Sequence, residues 1–269
     1  MSPITTAKPA PKKVSKKPAS PLPGGYTGKL LRVNLSTGKV WAEPWEPEAM
    51  REQLGGIGLG AYILWKEVPA KVHWDHPENR LVLATGPLAG LPVWGTGGLT
   101  VVTRGAMTGG ATSTNANGFF GAALKYSGYD SIVIQGQAKK WSYLYINDDV
   151  VEVRDASHLL GKDTWETQQA LEREHGLSGH RMSVYSVGVA GEKGVRFAAI
   201  HGDYGHVASK NGCGAVMGKK RLKAVCIVRG TGALRAACGC LAYAGFRSQS
   251  ATVIGKILSN LRGELNVSN

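Results

Sequence analysis

The densest group of chemically useful side chains in this sequence is STNANG, Ser113 to Gly118, which runs directly into FFGAALKYSGYDSIVIQG, Phe119 to Gly136. The Ala, Leu and aromatic residues after the asparagines predict a small helix. Tyr129-Asp130 then turns the chain into an apolar, β-branched strand, Ile132-Val133-Ile134. An amide-rich loop fixed between two buried elements can line a binding site with carbonyl, amide and backbone N–H groups. Asn and Ser are also good helix N-caps, so the same residues can simply start the helix. A second Gly/Ser/Lys-rich stretch, VASKNGCGAVMGKK from Val207 to Lys220, is built on the same logic and favours the binding-site reading.

Other groups able to do chemistry are limited by context. The four cysteines are Cys213, Cys226, Cys238 and Cys240, too few and too clustered for a disulfide scaffold, and they fit a reducing, cytoplasmic setting. Cys238-Gly-Cys240 lacks the second thiolate pair that a structural zinc site needs. GGIGLG at Gly55 follows a predicted helix rather than a strand, so it does not present a dinucleotide's pyrophosphate to a helix N-terminus. NGCGAVMGKK ends without the Ser or Thr that holds magnesium in a phosphate-binding loop.

The elements that must position these loops are legible in outline. Lys29–Leu35 and Val40–Ala42 flank Ser-Thr-Gly-Lys and predict a hairpin turning at Gly38; Tyr143–Ile146 and Val150–Val153 predict another across Asn147-Asp148-Asp149. Helices are expected over Pro47–Leu54 and Leu59–Glu67. A third runs from Thr164 to His175, opened by Asp163 with Glu166 in capping-box position. Leu81–Leu83, Leu99–Thr103, Met182–Val187, Val195–Ile200 and Ala224–Val228 read as further strands. Strands in hairpins with a few separated helices indicate an α+β fold, a β-rich domain of two hairpin-containing sheets.

At 269 residues the chain can bury a sizeable core, and it carries a formal charge of +13. Lys8, Lys12, Lys13, Lys16 and Lys17 lie in an Ala/Pro/Ser tract without apolar runs. Residues 1–25 are therefore expected to form a disordered tail, not a secretory signal. The basic tail reads as a solvated linker rather than a nucleic-acid arm. No run of about 18 apolar residues is present, so no membrane span is expected.

Six ordered blocks carry a family resemblance: GGIGLGAYILWKEVP, NRLVLATGPLAGLPV, the Ser113–Gly136 stretch, LYINDDVVEVRDASHLLGKDTWET, VGVAGEKGVRFAAI and VASKNGCGAVMGKK. From about Tyr26 to Gly230 the chain resembles the N-terminal domain of the aldehyde ferredoxin oxidoreductase family, tungsten or molybdenum bis-pterin enzymes. The resemblance implies a pterin-cofactor base domain over 26–230. It also implies oxidation of small aldehydes to carboxylic acids, with ferredoxin as electron acceptor. Two pterin-binding segments are implied: Asn115, Ala116 and Asn117 in the first, and His206, Val207, Ala208, Ser209 and Lys210 in the second. The backbone carbonyls of Asn115 and Val207 are the implied ligands of a magnesium ion bridging the pterin phosphates, and no catalytic residue is assigned.

The sequence departs from the family pattern in places. Gly98 stands where an arginine often contacts the pterin, a fork that is lost unless Arg104 compensates. Asn117 replaces a customary glycine, and His206 stands where arginine is frequent. After Gly230 the family's CxxCxxxC motif and substrate-side residues are not found, so a 4Fe–4S cluster is expected only in a part missing here. Residues 231–269 read as a divergent tail, either a helix with Val253, Ile257, Leu258 and Leu261 on one face or read-through of a disrupted frame. The expectation is a truncated cofactor domain, inactive alone or completed by a separate chain; the alternative is a non-catalytic remnant or interaction module of the same fold.

Overall fold

The computed structural model describes Leu22, residues 24–91 and residues 95–232. The expectations for the tails at 1–21 and 233–269, Cys238 and Cys240 among them, lie outside the described residues. Leu22 packs against the core beside Tyr26 and Trp45.

Among the described residues twelve strands form two six-stranded sheets. The first contains β1 (Lys29–Asn34), β2 (Lys39–Pro44), β3 (Leu81–Ala84), β4 (Leu99–Arg104), β5 (Ala111–Ala116) and β6 (Ser131–Gln135), in the order β2-β1-β6-β3-β4-β5. The second contains β7 (Ser142–Asn147), β8 (Val150–Asp155), β9 (Met182–Ser186), β10 (Ile200–Gly202), β11 (His206–Ala208) and β12 (Leu222–Val228), in the order β11-β10-β9-β12-β7-β8. Read from its other edge, the second order is the first with every number raised by six. The pairing senses agree as well. A hairpin strand pairs parallel with the last strand of its sheet, β1 with β6 and β7 with β12, and the other ladders are antiparallel. The fold is thus one supersecondary unit built twice.

The helices follow the same scheme. Helices α1 (Pro47–Gln53) and α2 (Gly56–Glu67) join β2 to β3, and α4 (Thr164–His175) joins β8 to β9. Each covers the outer face of its own sheet: Leu59 and Ile63 pack on Val82, Val102 and Val133, while Leu171 packs on Tyr143, Val184 and Cys226. Helix α3 (Phe120–Tyr126) precedes β6, and α6 (Cys213–Lys219) precedes β12; the short α5 (Val189–Glu192) follows β9. Phe120 and Leu124 of α3 and Met217 of α6 join inward residues of both sheets, among them Leu83, Ile132, Ile146 and Val225, in one core. Burying each such side chain contributes about 1.5–3 kcal/mol.

The hairpins, α1 and α4 form where local sequence signals place them, and α2 begins at Gly56, three residues before the expected Leu59. At α4, Asp163 Oδ1 accepts from Glu166 N at 2.8 Å and Glu166 Oε2 accepts from Asp163 N at 2.9 Å, the expected capping box.

Three expectations are corrected. Ser113–Ala116 is not loop but the last four residues of β5, because β4 supplies a full-length antiparallel partner, with Thr100 opposite Asn115. The stretch Val207–Lys220 likewise holds β11 and α6. Val195–Ala199 is not strand: Phe197 is 73 % exposed, Ala198 N donates back to Val195 O, and Arg196 reaches across to Ala106 O. These residues pair with turns, so the strand begins only at Ile200.

Candidate functional site

The two segments singled out in the sequence occupy equivalent places in the two units, at the end of the fifth strand and the start of the helix after it. Asn115 and Ala116 end β5, and Asn117 leads into α3; His206, Val207 and Ala208 make β11, and Ser209 and Lys210 lead toward α6. Both strands are sheet edges, and they adjoin: Lys210 N donates to Thr114 Oγ1 at 3.3 Å.

Side chains of the second unit hold the turns and the junction of the first. Asn211, at φ +56°, accepts through Oδ1 from Met107 N at 3.1 Å and Thr108 N at 2.9 Å, fixing the turn after β4. From the same unit, Asp203 Oδ2 accepts from Phe119 N at 2.7 Å, and the Tyr185 hydroxyl donates to the carbonyl of Asn117. Gly118, at φ +97°, makes this possible, because a Cβ there would lie 2.5 Å from Asp203 Oδ2. Asn117 has no positive φ, so the departure from glycine at that position is absorbed by its neighbour. Asn and Ser do not cap α3, whose N-cap residue is Phe119; Asp203, from the opposite sheet, accepts the N–H of that residue.

Burial pushes the Asp203 carboxyl above the usual carboxylate range, opposed by donation from Phe119 N, Ser183 Oγ and Val184 N. Burial, and then the nearby Asp203, push the Tyr185 phenol well up, so it stays a neutral donor. Neither residue was marked by sequence. Asp203 sits in a Gly-Asp-Tyr-Gly turn, a signal of local geometry only. Asp203→Ala should leave the Phe119 and Val184 amides without acceptors and lower stability by about 1–3 kcal/mol. Thermal unfolding together with faster amide exchange at Phe119 would register it; unchanged exchange there would contradict the role.

Two cavities open at the junction, of about 650 and 570 Å³. Gly95, Thr96, Gly98 and Asn117 line both. Asn115 and Ala116 line the larger, and the Asn115 side chain accepts from Thr100 Oγ1 at 3.0 Å. His206 lines the smaller, with Phe119, Tyr126, His180 and Arg229. Val207, Ala208, Ser209 and Lys210 line neither, and Ala208 is buried. Arg104 does not replace the missing arginine at Gly98: its Nη1 donates to Ala70 O at 2.6 Å, and it lines a separate hollow beside Trp65. Among the described residues no group of three His, Cys, Asp or Glu side chains could hold a metal, and no helix is long and apolar enough to cross a membrane.

Known proteins share this architecture. The family described as aldehyde ferredoxin oxidoreductase, N-terminal domain, matches residues 30–229. The tungsten-containing aldehyde ferredoxin oxidoreductase of Thermococcus kodakarensis is 46 % identical over 203 residues, 76 % of this chain and 33 % of that protein. The enzyme of the same name from Pyrococcus furiosus is 44 % identical over 203 residues, with the same shares of each chain. The aliphatic sulfonate oxidoreductase, WOR-like subunit, of Pyrococcus furiosus is 38 % identical over 224 residues, 78 % of this chain and 35 % of that one. Among solved structures, the active site complex of benzoyl coenzyme A reductase with 1,5-dienoyl-CoA superposes with a TM-score of 0.76 at 41 % identity, covering 80 % of this chain and 32 % of that one. The chain spans about a third of the length of these relatives. With the family matched across both sheets and the strand-to-helix junctions between them, the chain belongs to the aldehyde ferredoxin oxidoreductase family, through its N-terminal domain.

Proposed function

We propose that this domain is the base on which a tungsten or molybdenum bis-pterin cofactor lies, in an assembly that oxidises aldehydes to carboxylic acids and passes electrons to ferredoxin. One observation carries the reading: two topologically equivalent strand-to-helix junctions adjoin at one place, a twofold arrangement suited to a ligand with two similar halves. The residues present fit such a group. Neither cavity is lined by a carboxylate, so a phosphate-bearing ligand meets no like charge. The walls are largely glycine and small residues, and a Cβ added at Gly86 or Gly95 would meet nothing within 4 Å, which leaves backbone accessible.

In this reading Asn115, Ala116 and Asn117 hold one pterin. His206, Val207, Ala208, Ser209 and Lys210 hold the other, with Lys210 as a point charge for phosphate. Carbonyls of edge strands include a row without ladder partners, and those of Asn115 and Val207 are the proposed magnesium ligands. When bound, the cofactor supplies two-electron redox chemistry. This chain's part is to bind and orient it: Tyr185 and Asp203 fix the backbone at Asn117–Phe119 and Asn211 fixes the turn before β5.

Metal analysis of the chain, purified anaerobically from cells supplied with tungstate and molybdate, tests the reading. Tungsten or molybdenum near one per chain, lost when Gly118 is replaced by valine, is the expected result. Absence of both metals from well-folded protein would defeat it.

A further inference from the structure

The smaller cavity is lined by an exposed cationic side chain that no acid among the described residues pairs. Arg229, just beyond β12, stacks its guanidinium 4.7 Å from the centroid of the Tyr126 ring. Among the described residues no carboxylate and no carbonyl accepts from that guanidinium. The stacking matters because it orients a flat, five-donor fork while leaving its edge free. Two imidazoles share the cavity. His180 sits edge-on to Phe119 with ring centroids 4.1 Å apart, and His206 lies beside Asp203. The Asp203 oxygens are already taken by Phe119 N, Ser183 Oγ and Val184 N, and the residues lining the cavity include no acid.

We infer that Arg229, with His180 and His206, forms a phosphate-binding subsite on the wall of the smaller cavity, taking the phosphate of a monoester whose apolar part rests on Phe119 and Tyr126. A guanidinium edge matches two oxygens of one phosphate, and imidazole N–H groups add donors. The phosphate can belong to the cofactor or to a second ligand bound beside it; the chemistry at Arg229 is the same. The subsite shares His206 with the pterin reading, but it is made wholly by side chains of this chain and is measurable without cofactor.

Gly98 lines the same cavity, and an added Cβ there would meet only Ala116 O, at 3.6 Å. A side chain can therefore be introduced there without disturbing backbone. The test is titration of the full, cofactor-free chain with inorganic phosphate, phenyl phosphate and a pterin monophosphate, followed by calorimetry. Arg229→Ala should weaken all three by about tenfold or more, the usual effect of losing a charge-assisted pair. Gly98→Arg in the Arg229→Ala background should recover a large part of the loss. Tighter binding of the pterin phosphate than of phenyl phosphate assigns the site to the cofactor, and the reverse order assigns it to a second ligand; either order keeps the subsite. No saturable binding to the unaltered chain, or equal binding to the Arg229→Ala chain, overturns it. The metal content of the same preparations is read separately, so a failure of the cofactor proposal and a failure of this one are distinguishable.

Discussion

Asp130→Ala is expected to lower the free energy of unfolding by about 3–5 kcal/mol, the usual effect of removing one partner of a buried ion pair. Asp130 is 0 % exposed, and its partner Lys125, on α3, is 1 % exposed. The carboxylate accepts from Lys125 Nζ, from Thr27 N at 3.1 Å, from Thr27 Oγ1 at 3.0 Å and from Gly28 N at 2.7 Å. Removing it leaves a buried ammonium whose remaining partners are Gly25 O, at 2.7 Å, and the Tyr26 ring. Burial already pushes the Lys125 pKa down, and Asp130 opposes that shift; without Asp130 it falls further. A lysine with a folded pKa below its unfolded value binds fewer protons in the folded state. The deficit of the variant should therefore be greatest below the lowered pKa and shrink as pH rises toward about 10.4. Urea titrations at several pH values would measure this, and a pH-independent deficit under 1 kcal/mol would contradict it. Lys125→Met alone should cost less, because Asp130 keeps its other donors. The pair lies close to the site: the backbone O of Asp130 accepts from Thr85 N at 3.0 Å, immediately before Gly86 on the rim of the larger cavity.

Gly97→Ala is the second large effect expected, a loss of about 3 kcal/mol, at the upper end of overpacking. A Cβ at Gly97 would lie 2.0 Å from Gly118 O, so two stretches of backbone must separate. Gly97 O also accepts from Gly121 N at 2.9 Å, tying the same strip to the start of α3. A melting temperature lower by about 10 °C would reflect the strain. Gly86→Ala is the control on the same rim, where a Cβ meets nothing within 4 Å; it should be neutral or slightly stabilising. Equal effects at the two positions would refute close approach as the cause.

What the sequence discloses here is what is local. The hairpin at Gly38, the turn at Asn147-Asp148-Asp149 and the Asp163 capping box each fix geometry over a few residues, and each forms as read. Asn115 reads as loop because Asn is poor in strands, and only its pairing opposite Thr100 of β4 makes it strand. Val195–Ala199 has strand-like composition, but Arg196 is engaged at Ala106, 90 positions earlier in the chain. The kinship of the Asn115 and Ala208 segments is visible in their composition. Their equivalence in two copies of one unit is not, since the second unit reaches its junction through Ser209-Lys210-Asn211 where the first uses Asn117-Gly118-Phe119. Asp203 and Tyr185 matter only through contacts between the units, and no local pattern encodes those.

Each sheet is a continuous stretch of chain, residues 29–135 and then 142–228. During synthesis the first sheet is therefore complete when β6 emerges, but its inward residues, Leu31, Leu83, Ile132 and Ile134, share a core with Ile146, Val225 and Ile227. At ~5–20 residues per second, translation takes on the order of ten seconds to deliver β12. Throughout that interval the nascent first unit presents an apolar face covered only in part, by α3, with the second sheet's contribution not yet made. A chaperone acting on ribosome-bound chains would meet its best target between the emergence of β6 and that of β12, and a pause in translation there would prolong the exposure.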